Sequence, residues 1–326
     1  MAMVTTGMTQ NPEIPVESIL RDELAHGDVV LGTIGPIMGH LLANHDHSLF
    51  SDEIVSRVRG MITDVARQLL LALAEAGENA DPRGFAQEHS AALTEQMAGH
   101  PPFLCHCHAM ALEWHLTERL ERRGTIDRVL SPLLQSLIAS DDTGTASTAM
   151  SALAAQARFT QQQQRMELPI RELPGDLFHH ALLSLAAFAG PQAELVCRDA
   201  QKALRERYDE SSSRLGLLTR LVLGMGNGSR AALSINHAGV ALWLTALSMA
   251  SHQDRDLTIV STNDRQLARL ALGLRAAGLK PAEVEEQFVY IHPHVSLPEG
   301  FDMLRADRAA EMLDASGSTG SGWQAG

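Results

Sequence analysis

The sequence predicts an all-α protein, either a multi-helix bundle or an irregular α-solenoid of stacked helix pairs. Three observations carry that expectation. Apolar residues make up 45% of the 326 positions, yet aromatics only 4%. Alanine and leucine dominate the apolar set, and they favour helix where β-branched and aromatic residues favour strand. Nearly every apolar segment repeats at about 3.6 residues and is followed by a short connection. No fixed longer repeat is visible.

Taken in order, residues 1–14 read as a polar, flexible leader. Pro15 suits a first helical turn, and Ile19, Leu20 and Leu24 follow at helical spacing up to Gly27. Asp28 can cap a second segment to Asn44, with a kink or break expected near Pro36. The clearest helix opens at Ser51 as N-cap, with Asp52 and Glu53 in the first turn, where the helix dipole favours negative charge. Ile54, Val58, Met61, Ile62, Val65, Leu69 and Leu73 form its stripe, and Gly77 ends it. Further helices are expected over Pro82–Ala98, Pro102–Arg122, Pro132–Ser140, Ala146–Met166 and Asp176–Ala189. Residues 191–225 read as two helices parted near Ser211–Ser213. Gly224, Gly226 and Gly228 form a turn, after which Ser229 can cap an apolar helix. Asn263 or Thr262 can cap a helix through Leu267, Leu270 and Leu274 to Gly278, and Pro281 opens another to about Tyr290. Leu257–Val260 has the composition of a short strand. The Pro-rich stretch from Leu168 to Pro174 is the best joint, giving an N-terminal helical domain over 15–168 and a C-terminal one over 169–315. Residues 316–326 read as a disordered Gly/Ser-rich tail.

Charge and cysteine usage narrow the function classes. The formal net charge is −13, which argues against a nucleic-acid partner. The densest basic stretches, Arg119–Arg123 and Arg198–Arg207, are interleaved with acids and read as solvated faces. Cys105, Cys107 and Cys197 form no disulfide framework, so a reducing, cytoplasmic setting is expected. The longest stretch free of Asp, Glu, Lys and Arg, from Ala231 to Gln253, is diluted by Ser234, Asn236, His237 and Thr245. It reads as a buried core helix, so no membrane span is expected.

Two clusters have residue types that could carry chemistry. Cys105, His106, Cys107 and His108, with Glu113 and His115 beyond, are zinc-ligand types. On a helix, however, Cys105 and His108 share a face while His106 and Cys107 point elsewhere. The second cluster is His40, Asn44, His45, Asp46 and His47. The His45-Asp46 doublet resembles that of the metal-dependent phosphohydrolases named for it, in which His and Asp hold divalent metals that activate water. His26 and Asp64 are the nearest candidates for the further ligands that pattern requires, and His45 and Asp46 are the metal-site residues proposed from sequence. Asp176 with His179 is a lone i, i+3 pair and completes no di-iron set. Gly224–Ser229 looks like a phosphate-cradling turn but has no following lysine. Ile291–Val295 and Trp323 are candidate partner contacts.

The Ser131-Pro132-Leu133-Leu134 segment with its following Asp141-Asp142 loop, and Arg269–Leu279, resemble the bacterial family called domain of unknown function 2336. The resemblance implies a helical, repeat-like protein with no established reaction and transfers no functional residue. The expectation that follows is a helical interaction or regulatory protein without catalytic activity or cofactor, binding a protein partner or a second copy of itself. The alternative is a metal-dependent phosphohydrolase using His45 and Asp46.

Overall fold

A computed structural model of the chain describes residues 15–43, 52–124 and 126–319. All regular structure among the described residues is helical: fourteen α-helices and five short 3-10 turns. The all-α expectation holds because each apolar stripe finds a helical partner to pack on.

The first helix, α1, is one unbroken element over Pro15–Ala43, not the two segments expected. Asp28 does not cap a new helix; its carboxylate accepts from Arg269 and, at 2.6 Å, from Ser316. The carbonyl of Gly27 accepts from the side chain of Gln266 at 2.7 Å. These tertiary bonds replace the local cap. Helix α2 runs over Asp52–Ala76, and all seven residues of its expected stripe are buried. Helix α3 is Pro82–Ala98 and α4 is Pro101–Arg122. Next come α5 (Pro132–Ile138), α6 (Thr143–Gln164), α7 (Gly175–Ala189) and α8 (Glu194–Arg207).

Helix α9 (Arg214–Gly224) follows the expected break after α8, and Ser213 caps it. A 3-10 segment over Gly226–Leu233 then swallows Ser229, the residue expected to cap the next helix. Helix α10, Ile235–Ser251, is largely buried and kinks at Gly239. There φ is +72°, and a Cβ would sit 3.0 Å from the Cβ of Ser131, so only glycine fits without strain. Leu257–Val260 is helical rather than extended, within α11 (Arg255–Ser261), because Asp254 caps that turn through the amides of Asp256 and Leu257. The described residues end in α12 (Leu267–Ala276), α13 (Pro281–Ile291) and α14 (Ala306–Thr319). Helix α14 occupies the start of the expected tail because Ser316 is bonded to both Asp28 and Arg269. Trp323 lies outside the described residues.

The apolar residues form two clusters, and α4 belongs to both. Cys105, Ala109, Leu116 and Leu120 join the cluster built with α1, α5, α6 and α9–α14. Phe103, Leu104, Cys107, Met110 and Ala111 join the cluster built with α2, α3, α7 and α8. At 3.6 residues per turn these two sets lie on opposite sides of one helix. Both clusters draw residues from either side of 168–174.

That joint is fastened to α2 by polar side chains. The carboxylate of Asp64 accepts from the amide of Leu168 at 3.0 Å and from Gln68 at 2.8 Å. Gln68 also donates to the carbonyl of Leu168 and accepts from the amide of Ile170, both at 3.0 Å. Burial raises the Asp64 pKa from 3.8 to about 6, only partly opposed by the Leu168 amide. A raised carboxylate pKa means the folded state binds the proton more tightly, so stability falls as pH rises from 3.8 through about 6. Asp64→Asn keeps an acceptor without the charge. Its stability relative to wild type is expected to rise across that interval, as read by urea midpoints at successive pH values.

Candidate functional site

Being sandwiched between two clusters leaves α4 two polar seams. One carries His106, Glu113 and Thr117; the other carries His108, His115 and Arg119. The Cys/His run is thereby dispersed. Cys105 faces one cluster and Cys107 the other, while His106 reaches Asp256 of α11 at 2.7 Å. Burial pushes the Cys105 thiol up to about 12 and Cys107 further still. Burial also pushes His108 down to about 4. Among the described residues no three or more His, Cys, Asp or Glu side chains converge as a metal site.

The first seam contains the most concentrated charge in the interior. Glu113 and Arg214 are 1% and 2% exposed. Arg214 of α9 grips the carboxylate with both terminal nitrogens, at 2.7 and 2.9 Å. Arg255 of α11 approaches the same two oxygens at 3.1 Å each. Arg214 also donates to Gln156 at 3.2 Å and lies over the Phe159 ring, 3.7 Å from its centroid. Burial alone would raise the Glu113 pKa; the two guanidiniums reverse that and hold it well below the usual carboxylate range. Across the helix, Trp114 is flanked by Arg57 and Arg128, each 5.4 Å from the ring centroid. The cavity beside Arg214 is about 10 Å³, room for one water. The cluster therefore ties α4 to α9 and α11.

Sequence reasoning singled out Glu113 and His106 as ligand types but missed Arg214, Arg255 and Asp256, which complete their pairs. The signal available was Glu113 itself: an acid in a run otherwise apolar must find a cation if buried. Nothing local says which cation.

A larger concavity lies elsewhere, as an open groove of about 590 Å³. One wall is the outward face of α9: Leu215, Gly216, Thr219, Arg220 and Leu223. The other is Glu172–Pro174 with the turn at Glu210–Ser213. Gly216 lets the two walls meet, since a Cβ there would stand 2.4 Å from the carbonyl oxygen of Glu210. Glu172 accepts from the amide of Arg214 at 2.7 Å and Glu210 from that of Gly175 at 3.3 Å. Both residues line the groove, and the second oxygen of Glu172 lies 3.8 Å from Nε of Arg171. Leu223 is 64% exposed at the rim.

Of the residues proposed from sequence, His45 and Asp46 lie outside the described residues. His26 is on the exposed side of α1, and the Asp64 carboxylate is engaged by Leu168 and Gln68. His292 is buried, with Nε2 3.0 Å from the carbonyl of Thr262, while His294 is exposed. No single described helix is long and apolar enough to cross a membrane; the 3-10 segment and α10 would pass such a test only together, and they are bent by 113°. No family model, curated protein or solved structure matches the chain.

Two outcomes follow from the seam. Glu113→Gln leaves two guanidiniums without their counter-charge and is expected to lower stability by about 3–5 kcal/mol, the scale for breaking a buried ion pair, measured by urea unfolding. For His106, burial lowers the pKa, but Asp256 outweighs it and leaves the net value raised above 6.5. The stability this contributes is complete below pH 6.5 and is lost as pH rises through the folded value. Asp256→Asn is expected to flatten the alkaline side of that profile in the same urea assay.

Proposed function

We propose that the protein is a helical interaction or regulatory protein that acts by binding, without a reaction of its own. Its partner on this reading is a protein segment seated along the outer face of α9. The observation that carries the proposal is the groove between α9 and the Glu172–Pro174 and Glu210–Ser213 walls. Leu215, Thr219 and Leu223 recur along α9 at i, i+4 and i+8, the register that receives an amphipathic helix or an extended apolar segment. Among the lining residues Glu172 and Glu210 outnumber the one cation, Arg220, which already donates to the carbonyl of Ser211 at 3.0 Å, while Arg171 stands 3.8 Å from Glu172. A chain of net charge −13 then favours a partner segment that is basic as well as apolar. The three cysteines are free and buried, which suits the reducing, cytoplasmic setting included in this proposal.

A photo-crosslinking residue placed at Leu223 in native cells tests the reading. The expected result is one defined adduct, a basic protein segment or a second copy of the chain, that is absent when the crosslinker stands at exposed Met150. With the captured segment in hand, Leu223→Glu is expected to weaken binding at least about tenfold, the scale of an interface anchor. Arg220→Glu should tighten binding to a basic segment. Equal labelling at both positions, together with a monomer in sedimentation, would remove the groove as a binding site.

A further inference from the structure

The α3–α4 turn and α7 meet through two histidines that lie face to face. The rings of His100 and His180 are 3.4 Å apart between centroids and 15° from parallel. His100 is also the N-cap of α4: its Nδ1 accepts from the amide of Phe103 at 3.3 Å. An acceptor nitrogen carries no proton, so this cap exists only in the neutral ring. On α7, His180 Nε2 lies 3.4 Å from the Ser184 hydroxyl. Both rings are half-buried.

We propose that this pair is an acid-sensitive latch: neutral rings hold α7 against the α3–α4 turn, and their protonation releases it. A proton on His100 Nδ1 abolishes the α4 cap. A second proton sets two like charges in van der Waals contact. The charged groups acting on the pair are few. Asp176, on α7, favours a proton on His100, and His179, also on α7, opposes one on His180. Helix α3 meets α7 through Gln96 on the carbonyl of Ser184 and through His89, a third titratable imidazole, whose ring lies edge-on to Phe188. Helix α8 adds Gln201 on the carbonyl of Leu182, and α2 packs on α7 within the same apolar cluster. Burial lowers the pKa of both histidines from 6.5. The released state therefore binds more protons, and release gains as pH falls below 6.5.

The latch also bears on the groove, a consequence that rests on the function proposed above. Helix α7 begins at the groove wall, where Glu210 accepts from Gly175, and Phe178 stacks on Tyr208 at 4.0 Å. Release of α7 would take that wall with it, so acid would discharge a bound segment.

Native-state hydrogen exchange on the full chain, without partner, from pH 8 to 5 tests the latch independently of the groove. After correction for intrinsic rates, opening of α7 is expected to grow roughly tenfold per pH unit below about 6.5 for each proton taken up. The double variant His100→Asn, His180→Phe keeps a capping acceptor and a stacked ring without titrating. Its α7 protection should be flat over the same range while other helices follow wild type. A flat wild-type profile, or a double variant that keeps the wild-type slope, overturns the proposal. Should the variant fail to fold, imidazole resonances of the wild type decide. Both rings titrating below 6.5 in step with loss of α7 protection supports the latch; titration at or above 6.5 with α7 still protected refutes it.

Discussion

The Glu113 carboxylate is the constraint on which the rest of the arrangement depends. It sits at the middle of α4 with no access to water, and it is neutralised from two directions by Arg214 of α9 and Arg255 of α11. A buried ion pair of this kind gains little over a well-packed apolar equivalent, because desolvation cancels most of the attraction. Its effect is on which packings are allowed. Any arrangement that draws α9 or α11 away from α4 strands a charge in the interior, which costs several kcal/mol. Three helices far apart in sequence are thereby held to one geometry.

The remaining buried polar groups extend the same logic along the molecule. His106 and Asp256 add a second tie between α4 and α11, about two turns away on the same seam. Asp28, Arg269 and Ser316 join α1, α12 and α14, and Glu17 receives Arg308 at 3.0 Å between α1 and α14. The first and last described helices are thus packed together by charge as well as by the apolar contacts of Leu20, Leu24, Met312 and Leu313. Apolar stripes decide that helices pack. These pairs decide which helix meets which.

The features with room for a partner lie away from that interior. The groove at α9 is formed where a close approach at Gly216 brings a turn against a helix, and its carboxylates are steadied by backbone amides of Arg214 and Gly175. Arg214 links the two regions: its side chain is locked to Glu113 and its amide orients Glu172 at the groove wall. The rigid centre therefore fixes the position of the groove wall.

Much of the secondary structure was legible along the chain. Local signals placed α2, α3, α4, α7 and α13 within a residue or two, since Pro at a first turn, a capping side chain and a 3.6-residue stripe all act over one or two turns. Two misread places are those where a distant group replaced a local one: Asp28 bonding Arg269 instead of capping a helix, and Ser316 held in α14. Ser229 falls instead within the 3-10 segment before α10. Leu257–Val260 differed for a local reason, since the capping role of Asp254 outweighed the β-branched residues beyond it. The acid at Glu113 could be seen to need a cation. That the cations are Arg214 and Arg255, that His100 stacks on His180, and that α9 leaves one face open are matters of how helices are brought together in space. Composition and periodicity by themselves determined an all-helical chain with its caps and buried stripes, because those depend on neighbours a few residues away. The partners of each buried charge and the shape of the groove were decided only by the tertiary structure, because electrostatic pairing and surface concavity depend on distances that a linear order of residues does not contain.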